Sequence, residues 1–264
     1  MPRRPSSPPR SGRRESAGWD PFADWYRGWV GELGSEHHRR LAIPAVLSLL
    51  DLRTGDRVLD IGAGHGVLAG YVLDEGASYT GVDLSPRLIE AARRTYGKSA
   101  RFHVADAADL RSVTELRPES FDAAVFLLSI QDIEQYDRAI ASTAGLIVPG
   151  GRLVILMTHP SFRIPRQSGW GWDEGRKLRY RRVDGYLSEM RIPLSPTEGR
   201  RGVAFTHHRP LEAYVGALTD AGLVIDALHE IPTFKTLKRG PMAKAENAAN
   251  REFPLFLAIR GRKL

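Results

Sequence analysis

The sequence contains no cysteine among its 264 residues. Disulfide bridges, a thiolate nucleophile and cysteine-ligated zinc are therefore excluded. The sequence also lacks a run of about 18 apolar residues, the length that a membrane-spanning helix needs. Its first residues lack the apolar segment of a secretory signal peptide. We therefore expect a cytoplasmic protein with no membrane association.

Positive charge exceeds negative charge, with 38 Lys and Arg against 31 Asp and Glu, but two segments hold the excess. Residues 1–14 contain five arginines and no acidic residue, and residues 159–206 contain ten Lys and Arg against five Asp and Glu. The rest of the chain is slightly acidic. The basicity therefore belongs to a tail and an insertion. It leaves nucleic acid open as a partner but does not indicate nucleic acid for the core fold.

Composition divides the chain into a tail and one domain. Residues 1–17 are rich in Pro, Ser and Arg, which predicts a disordered basic tail. Residues 18–264 are long enough for a single α/β domain with a full core. Within this domain, residues 18–50 predict two cap helices. Residues 158–209 show little helical or strand periodicity and predict an insertion that forms a lid or wall for a ligand.

The stretch RVLDIGAGHGVLA, residues 57–69, is the clearest functional motif. An apolar run predicts a buried central strand, three glycines follow it, and a helix is expected from Val67. Strand, glycine turn and helix form the ligand-binding corner of an open α/β sheet. A dinucleotide fingerprint would require glycine at position 67. Asp60 would also repel a pyrophosphate but attract an ammonium, so an NAD-dependent oxidoreductase is disfavoured.

With Asp60 before its glycines, VLDIGAGHG resembles the first motif of the class I S-adenosylmethionine-dependent methyltransferases. The resemblance covers roughly residues 40–158 and 210–260. It implies an α/β fold with a Rossmann-like sheet of seven strands and helices on both faces. The implied strand order is 3-2-1-4-5-7-6, with the last strand antiparallel. It also implies S-adenosylmethionine as the cofactor and methyl transfer as the activity.

Acidic residues at the ends of the next two strands suit this cofactor. Asp83 follows the last glycine by 17 residues, and a carboxylate there can accept hydrogen bonds from both ribose hydroxyls. The resemblance places Asp106 at the adenine amino group, with Asp109 as the competing candidate. The expected cofactor-binding residues are Asp60, Gly62, Ala63, Gly64, Gly66, Asp83, Leu84, Asp106, Ala107 and Leu128.

The cap and the insertion contain the candidates for contact with the methyl acceptor. In the cap, Trp25, Trp29 and Leu33 recur at helical spacing and predict core packing. The aromatic and arginine side chains of the insertion suggest an aromatic or otherwise flat acceptor, or an anionic one. The alternative is that these aromatic side chains fill a small core within the insertion. The predicted substrate-lining residues are His37, His38, Phe162, Trp170, Trp172, Tyr180 and His208.

Catalysis of methyl transfer consists mainly of aligning the acceptor with the methyl group and the sulfur. His159 and His207, at the two joins of the insertion, are candidate bases for an oxygen or carbon acceptor. No cluster of ligands predicts a metal. Ser129–Gln131 departs from the Asn/Asp-Pro-Pro-Tyr tetrad of enzymes that methylate nucleobase amines, which favours a small-molecule acceptor. RNA or protein methylation, and non-catalytic cofactor binding, remain the alternatives.

Overall fold

The computed structural model describes residues 18–194 and 203–264; the predicted basic tail, residues 1–17, lies outside the described residues. A seven-stranded sheet forms the centre, and four further strands form two antiparallel pairs. The strands are β1 (Arg57–Ile61), β2 (Ser78–Asp83), β3 (Arg101–Val104), β4 (Phe121–Leu127), β5 (Ile147–Thr158), β6 (Ser168–Asp173), β7 (Leu178–Val183), β8 (Met190–Leu194), β9 (Ala204–His208), β10 (Leu223–Ile231) and β11 (Phe256–Lys263). The helices are α1 (Ala23–Val30), α2 (Ile43–Leu50), α3 (Ala69–Asp74), α4 (Pro86–Tyr96), α5 (Tyr136–Ala144), α6 (Leu211–Asp220) and α7 (Ala243–Glu252).

The central sheet has the order β3-β2-β1-β4-β5-β11-β10. The pairs from β3 to β5 are parallel, and β11 is antiparallel to both of its neighbours. This arrangement confirms the expected α/β fold and strand order. Parallel strands require crossover connections, which place helices over both faces of the sheet.

Strand β1 lies in the middle of the sheet and is buried on both faces. Leu59 belongs to the core layer that contains Ile140 of α5, whereas Val58 belongs to the layer that contains Val46 of α2. A strand covered on both faces is expected to be a continuous apolar run. Asp60 interrupts that run although it is only 2% exposed. Since a buried carboxylate is costly without a partner, Asp60 is a candidate ligand-binding residue.

Proline is typical of the first turn of a helix, so Pro86 marks a helix start in the sequence. Helix α4 begins there, and the Ser85 hydroxyl accepts a hydrogen bond from the Leu88 N–H at 3.2 Å. This is an ordinary side-chain cap. Helix α3 begins at Ala69 instead of Val67, because the turn that follows the glycines continues for two more residues.

The insertion is more regular than its sequence predicts. Strands β6 and β7 form one antiparallel hairpin, and β8 and β9 form a second antiparallel pair. The β6–β7 hairpin contacts α7, and β9 contacts the short helical turn Ile130–Asp132 that follows β4. These four strands were not predicted from the sequence. Trp170 and Trp172 alternate with glycines in β6, and Leu178 and Tyr180 alternate with arginines in β7, a period of two that is typical of a strand.

Residues 18–50 contain α1, a π-helical turn (His38–Ala42) and α2, which together are called the cap. The predicted core stripe on α1 was wrong. Trp25 and Trp29 stack on each other with ring centroids 5.8 Å apart, and Trp29 is 62% exposed. The buried residues of α1 are Ala23 and Val30. Among the described residues, no helix combines the length and the hydropathy needed to cross a membrane.

Candidate cofactor and acceptor site

The loop between β1 and α3 depends on backbone conformations that favour glycine. Gly62, Gly64 and Gly66 have φ values of +71°, +57° and +84°, in the left-handed region. Space is also restricted, since a Cβ on Gly62 would lie 2.5 Å from the Cβ of Ser129. The Gly62 N–H donates to the Val82 carbonyl at 2.8 Å. The loop is thus held between the ends of β2 and β4.

The Asp60 carboxylate is buried beneath this loop. The Tyr79 hydroxyl donates to its Oδ2 atom at 2.6 Å, whereas its Oδ1 atom has no hydrogen-bond partner among the described residues. The pKa of Asp60 is raised to about 7, mainly by burial and also by the charge of Asp83, against the lowering effect of the Tyr79 hydrogen bond. An unsatisfied buried carboxylate oxygen favours a cationic partner, so Asp60 suits the ammonium group of S-adenosylmethionine.

Asp83 and Asp106 follow the neighbouring strands β2 and β3. Asp83 Oδ2 accepts a hydrogen bond from the Gly64 N–H and Oδ1 accepts one from the Ser85 N–H, both at 2.8 Å. The Leu84 N–H is a third backbone donor to this carboxylate. Burial raises the pKa of Asp83. Asp106 is exposed and accepts from the Ala108 N–H at 2.9 Å.

The ten expected cofactor residues all lie at one edge of the sheet. Five are Asp60 and the loop that follows it, and the others lie at the carboxyl ends of β2, β3 and β4, which are next to β1 or to each other. Leu84 beside Asp83 is 61% exposed, and Ala107 beside Asp106 is partly buried. Leu128 has a φ of +55° and its N–H donates to the Leu156 carbonyl at 2.8 Å. Ligands of open α/β sheets bind at this edge.

The segment before and within α1 lies against the glycine loop. Asp20 accepts a hydrogen bond from the Ser85 hydroxyl at 2.7 Å, which ties the cap to the start of α4. The Tyr26 ring is close enough that a Cβ on Gly64 would lie 3.3 Å from its Cε1 atom. Burial, and then the charges of Asp83, Asp132 and Asp60, raise the pKa of Tyr26. Tyr26 therefore lies close to the acidic residues of the site, a position that the sequence did not predict.

His37 and His38, both predicted to line the acceptor site, diverge in the structure. The His38 Nδ1 atom lies 2.8 Å from the Ser35 hydroxyl, and the side chain packs beside Gly34, where a Cβ would also contact Val67. Burial, and then the charges of His65 and His37, lower the pKa of His38 to about 4. The ring of His37 contacts Phe234 instead, with centroids 5.1 Å apart. Only His38 therefore lies near the glycine loop.

The two candidate bases differ in their free ring atoms. His159 Nε2 lies 3.0 Å from Glu230 Oε1, and its Nδ1 accepts from the Ser161 N–H at 3.2 Å, so both ring nitrogens have protein partners. His207 Nδ1 lies 3.2 Å from the Gln131 carbonyl, but its Nε2 atom is buried without a partner among the described residues. Since a carbonyl only accepts, Nδ1 carries the proton and neutral Nε2 has a free lone pair. His207 is therefore the better candidate.

The acidic residue that follows β4 was missed by the sequence reasoning. Burial raises the pKa of Asp132 to about 7, and hydrogen bonds from the side chains of Thr206 and Trp19 lower it. Asp132 thus joins the cap to the β8–β9 pair at the end of β4. Its position at the carboxyl end of a central parallel strand was the signal available in the sequence. Within the described ranges, no group of three His, Cys, Asp or Glu side chains is placed to hold a metal ion.

Most aromatic residues of the insertion make contacts within it or with the end of α7. Phe162 packs on His159 and, like Trp170, on Phe253, with centroids 4.8, 5.6 and 5.5 Å apart. Trp172 donates to Glu174 at 2.6 Å, and Tyr180 lies opposite Gly171 in the β6–β7 hairpin.

His208 is also held structurally, since its Nε2 atom lies 2.6 Å from the Tyr186 carbonyl. Neighbouring residues on a strand point to opposite faces, so His207 and His208 do not share one site. The hydrogen bonds of Trp172 and His208 thus lie within the insertion, and Tyr180 is 43% exposed. No residue of β6 or β7 is buried, so this hairpin does not enclose a core of its own.

Comparisons with known proteins agree with this geometry. The sequence profile of a family described as "Methyltransferase domain" matches residues 59–155, which run from β1 into β5. The chain is 31% identical to the demethylmenaquinone methyltransferase of Tropheryma whipplei over 129 residues, 48% of this chain and 51% of that protein. It is 30% identical to the ubiquinone biosynthesis O-methyltransferase of Xylella fastidiosa over 142 residues, 52% of this chain and 56% of that protein. The chain thus spans about half the length of these curated relatives.

A crystal structure resembles a larger share of the chain. The S-adenosylmethionine dependent methyltransferase from Mesorhizobium loti superposes with a TM-score of 0.66 and 27% sequence identity, covering 83% of this chain and 96% of that one. The expected resemblance is therefore confirmed both in sequence and in fold. Residues 59–155 therefore match a methyltransferase domain, and the fold of the chain resembles that of an S-adenosylmethionine-dependent methyltransferase.

Proposed function

We propose that the protein binds S-adenosylmethionine and transfers its methyl group to a small-molecule acceptor. The observation that carries this proposal is the buried Asp60 carboxylate, whose Oδ1 atom is unsatisfied beneath the glycine loop. When bound, the cofactor supplies an electrophilic methyl group on a positively charged sulfur. The acidic edge of the sheet suits a cationic cofactor and does not suit a pyrophosphate.

In this proposal the residues at the sheet edge contact different parts of the cofactor. Asp60 Oδ1 holds the ammonium group, the backbone of Gly62 to Gly66 approaches the cofactor closely, and Asp83 accepts hydrogen bonds from the ribose hydroxyls. Asp106 and the Ala107 N–H contact the adenine, with Ala63, Leu84 and Leu128 supplying apolar contacts. Charge-assisted hydrogen bonds to carboxylates are the stronger kind, so the acidic residues are expected to dominate affinity.

The acceptor is placed by the cap and the β8–β9 pair, which both approach the end of β4. We propose that His207 removes a proton from an oxygen or carbon acceptor through Nε2. Burial, and then the charge of Arg209, lower the pKa of His207, so the base form is present at neutral pH. Its Nδ1–H bond to the Gln131 carbonyl fixes the ring. Enclosure between two segments excludes water from the transfer.

A small-molecule acceptor is supported by two curated relatives, one named for demethylmenaquinone and one for ubiquinone biosynthesis. The arginines and aromatic residues of the insertion support an acceptor that is aromatic or anionic. A cytoplasmic location, with the tail 1–17 and the domain 18–264 as separate units, is part of the same proposal. RNA or protein methylation, using the basic insertion, is the second candidate.

Calorimetry with S-adenosylmethionine is the first test, because the proposal requires binding by the wild-type protein and clearly weaker binding by Asp83→Ala. Transfer of a labelled methyl group to fractions of a cell extract then identifies the acceptor. Label in the small-molecule fraction supports the proposal. Label only in RNA or protein would reverse the substrate class, and binding without any transfer would indicate a non-catalytic module.

A further inference from the structure

A cavity of about 570 Å³ is formed by three separate parts of the chain. Its walls include Arg40 from the cap, Arg179 from β7, residues 234–237 between β10 and α7, and Glu246 and Asn250 of α7. None of the residues proposed to hold the cofactor lines it. His207 and Asp132 are likewise not among the residues that line the cavity.

The charges around this cavity are mainly positive. Arg40, Arg179 and Lys235 face a single lining carboxylate, Glu246, which pairs with Arg179 at 2.8 Å. Arg40 pairs with Glu36 at 3.0 Å, but both side chains are more than half exposed, and such a pair contributes little in water. Lys235 forms no ion pair with the residues that the structure describes. An anion in the cavity would therefore find cations that are not neutralised.

A second group of cations, which includes Arg179, adds to the positive charge near the cavity. The guanidinium groups of Arg163, Arg179 and Arg181 lie 5.6, 4.5 and 5.1 Å from the centroid of the Trp170 ring. Burial, and then the charges of Arg181 and Arg179, lower the pKa of Arg163 to about 10. Glu246 pairs with Arg179 alone among these three cations, so a bound anion would reduce the remaining repulsion further.

The cavity also has an aromatic wall and a fixed backbone. The Arg40 guanidinium lies 4.0 Å from the centroid of the Phe234 ring. Asn250 donates to the Lys235 carbonyl at 3.1 Å, and Asn247 exchanges two hydrogen bonds with the Leu237 backbone at 2.8 and 2.9 Å. These side-chain bonds hold residues 234–237 against α7. Because these residues are already ordered, they lose little conformational entropy when a ligand binds.

We propose that this cavity binds a small anionic molecule that carries a phosphate or carboxylate group on a flat ring. Arg40 and Lys235 contact the anionic group, and Phe234 contacts the ring. The inference does not depend on methyl transfer, because the lining residues are separate from those of the cofactor. Two sources share this chemistry, the methyl acceptor itself and a separate regulatory ligand.

Calorimetry with phenyl phosphate, and with benzyl alcohol as its neutral match, tests the proposal on the full chain. The variant Arg40→Gln/Lys235→Gln removes two cavity cations. The matched control Arg94→Gln/Lys98→Gln removes two exposed cations on and just after α4, and Arg94, like Arg40, pairs with a glutamate four residues earlier. Since charge-assisted contacts are lost only in the first variant, it should bind phenyl phosphate about tenfold more weakly or worse. Lys235→Gln alone serves as a milder second variant.

The proposal is overturned if the wild-type protein does not bind phenyl phosphate, if benzyl alcohol binds equally well, or if both double variants weaken binding alike. Binding of phenyl phosphate by a protein that fails to bind S-adenosylmethionine would support this site while refuting the proposed function. In the methyl-transfer assay, competition between phenyl phosphate and the acceptor assigns the site to the acceptor. Binding without competition assigns it to a separate ligand.

Discussion

The substitution Asp60→Asn should have opposite effects on the unliganded protein and on cofactor binding. Asparagine has the same shape, and its carbonyl oxygen can still accept the Tyr79 hydrogen bond, so the change removes mainly a buried negative charge. Burial raises the pKa of Asp60 to about 7. A carboxyl group whose pKa is raised from its ordinary value to about 7 destabilises the folded state by about 4 kcal/mol once it is ionised.

The sign of this effect depends on pH. Below about pH 4, Asp60 is protonated in both the folded and the unfolded protein, and it causes no loss of stability. As the pH rises toward 7, the unfolded state ionises before the folded state, so the free energy of unfolding falls. Above about pH 7 the loss is complete. Asp60→Asn should therefore stabilise the unliganded protein at pH 8 and change it little at pH 4, as measured by denaturant unfolding.

Cofactor binding should change in the other direction. The ammonium group favours the ionised carboxylate, so wild-type affinity should rise about tenfold between pH 6 and pH 8. Asp60→Asn should remove that dependence and weaken binding at pH 8 by about 2 kcal/mol, or about thirtyfold. Asp122→Asn is the matched control. Its carboxylate pairs with Arg57 at the other end of β4, at 2.9 Å, so it should affect stability alone.

Two results would refute the reasoning. An unchanged affinity for S-adenosylmethionine in Asp60→Asn would show that the ammonium is held elsewhere. A lower stability of Asp60→Asn than of the wild-type protein at pH 8 would show that the ionised Asp60 carboxylate does not destabilise the unliganded protein.

Three further outcomes are expected. Gly62→Ala should destabilise the protein by about 1–3 kcal/mol in thermal melts and impair cofactor binding, because the new Cβ meets Ser129 and the backbone has a φ of +71°. As the control, Gly216→Ala within α6, where nothing lies within 4 Å of the new Cβ, should stabilise the protein slightly. His207→Asn should lower kcat by about 10²-fold or more for an oxygen or carbon acceptor while calorimetry shows unchanged cofactor affinity, and an unchanged kcat would remove its role as base. His159→Gln should lower stability through the loss of the Glu230 contact and leave kcat unchanged; a large loss of kcat would reverse the choice between the two histidines.

The sequence predicted the parts of the fold in which local pattern and burial agree. The apolar run at Val58–Ile61, the glycines after it and Pro86 at a helix start are read correctly because each has one local cause. The stripe of Trp25 and Trp29 was misread, since helical spacing shows which residues share a face but not which face is covered. The exposure of Trp29 follows from tertiary packing, in which Ala23 and Val30 face the core.

The acceptor side of the site was predicted least well. Asp132 and Tyr26 come close to the glycine loop only through long-range contacts with the cap and the β8–β9 pair. The spacing of residues in the sequence does not indicate such contacts. The insertion aromatics were chosen by residue type, whereas hydrogen bonds decide which groups are free. His207 and His159 are equivalent in sequence and differ only in whether Nε2 has a partner.

The short segment that contains Trp19, Asp20 and Tyr26 contacts both halves of the site. Asp20 binds Ser85 beside the predicted ribose contact, Tyr26 lies on the glycine loop, and Trp19 hydrogen-bonds Asp132 at the end of β4. A single displacement of this segment would uncover the cofactor and the acceptor together. Exchange of the spent cofactor and departure of the methylated product should therefore share one kinetic step, and turnover would be limited by how fast three polar and aromatic contacts break in concert.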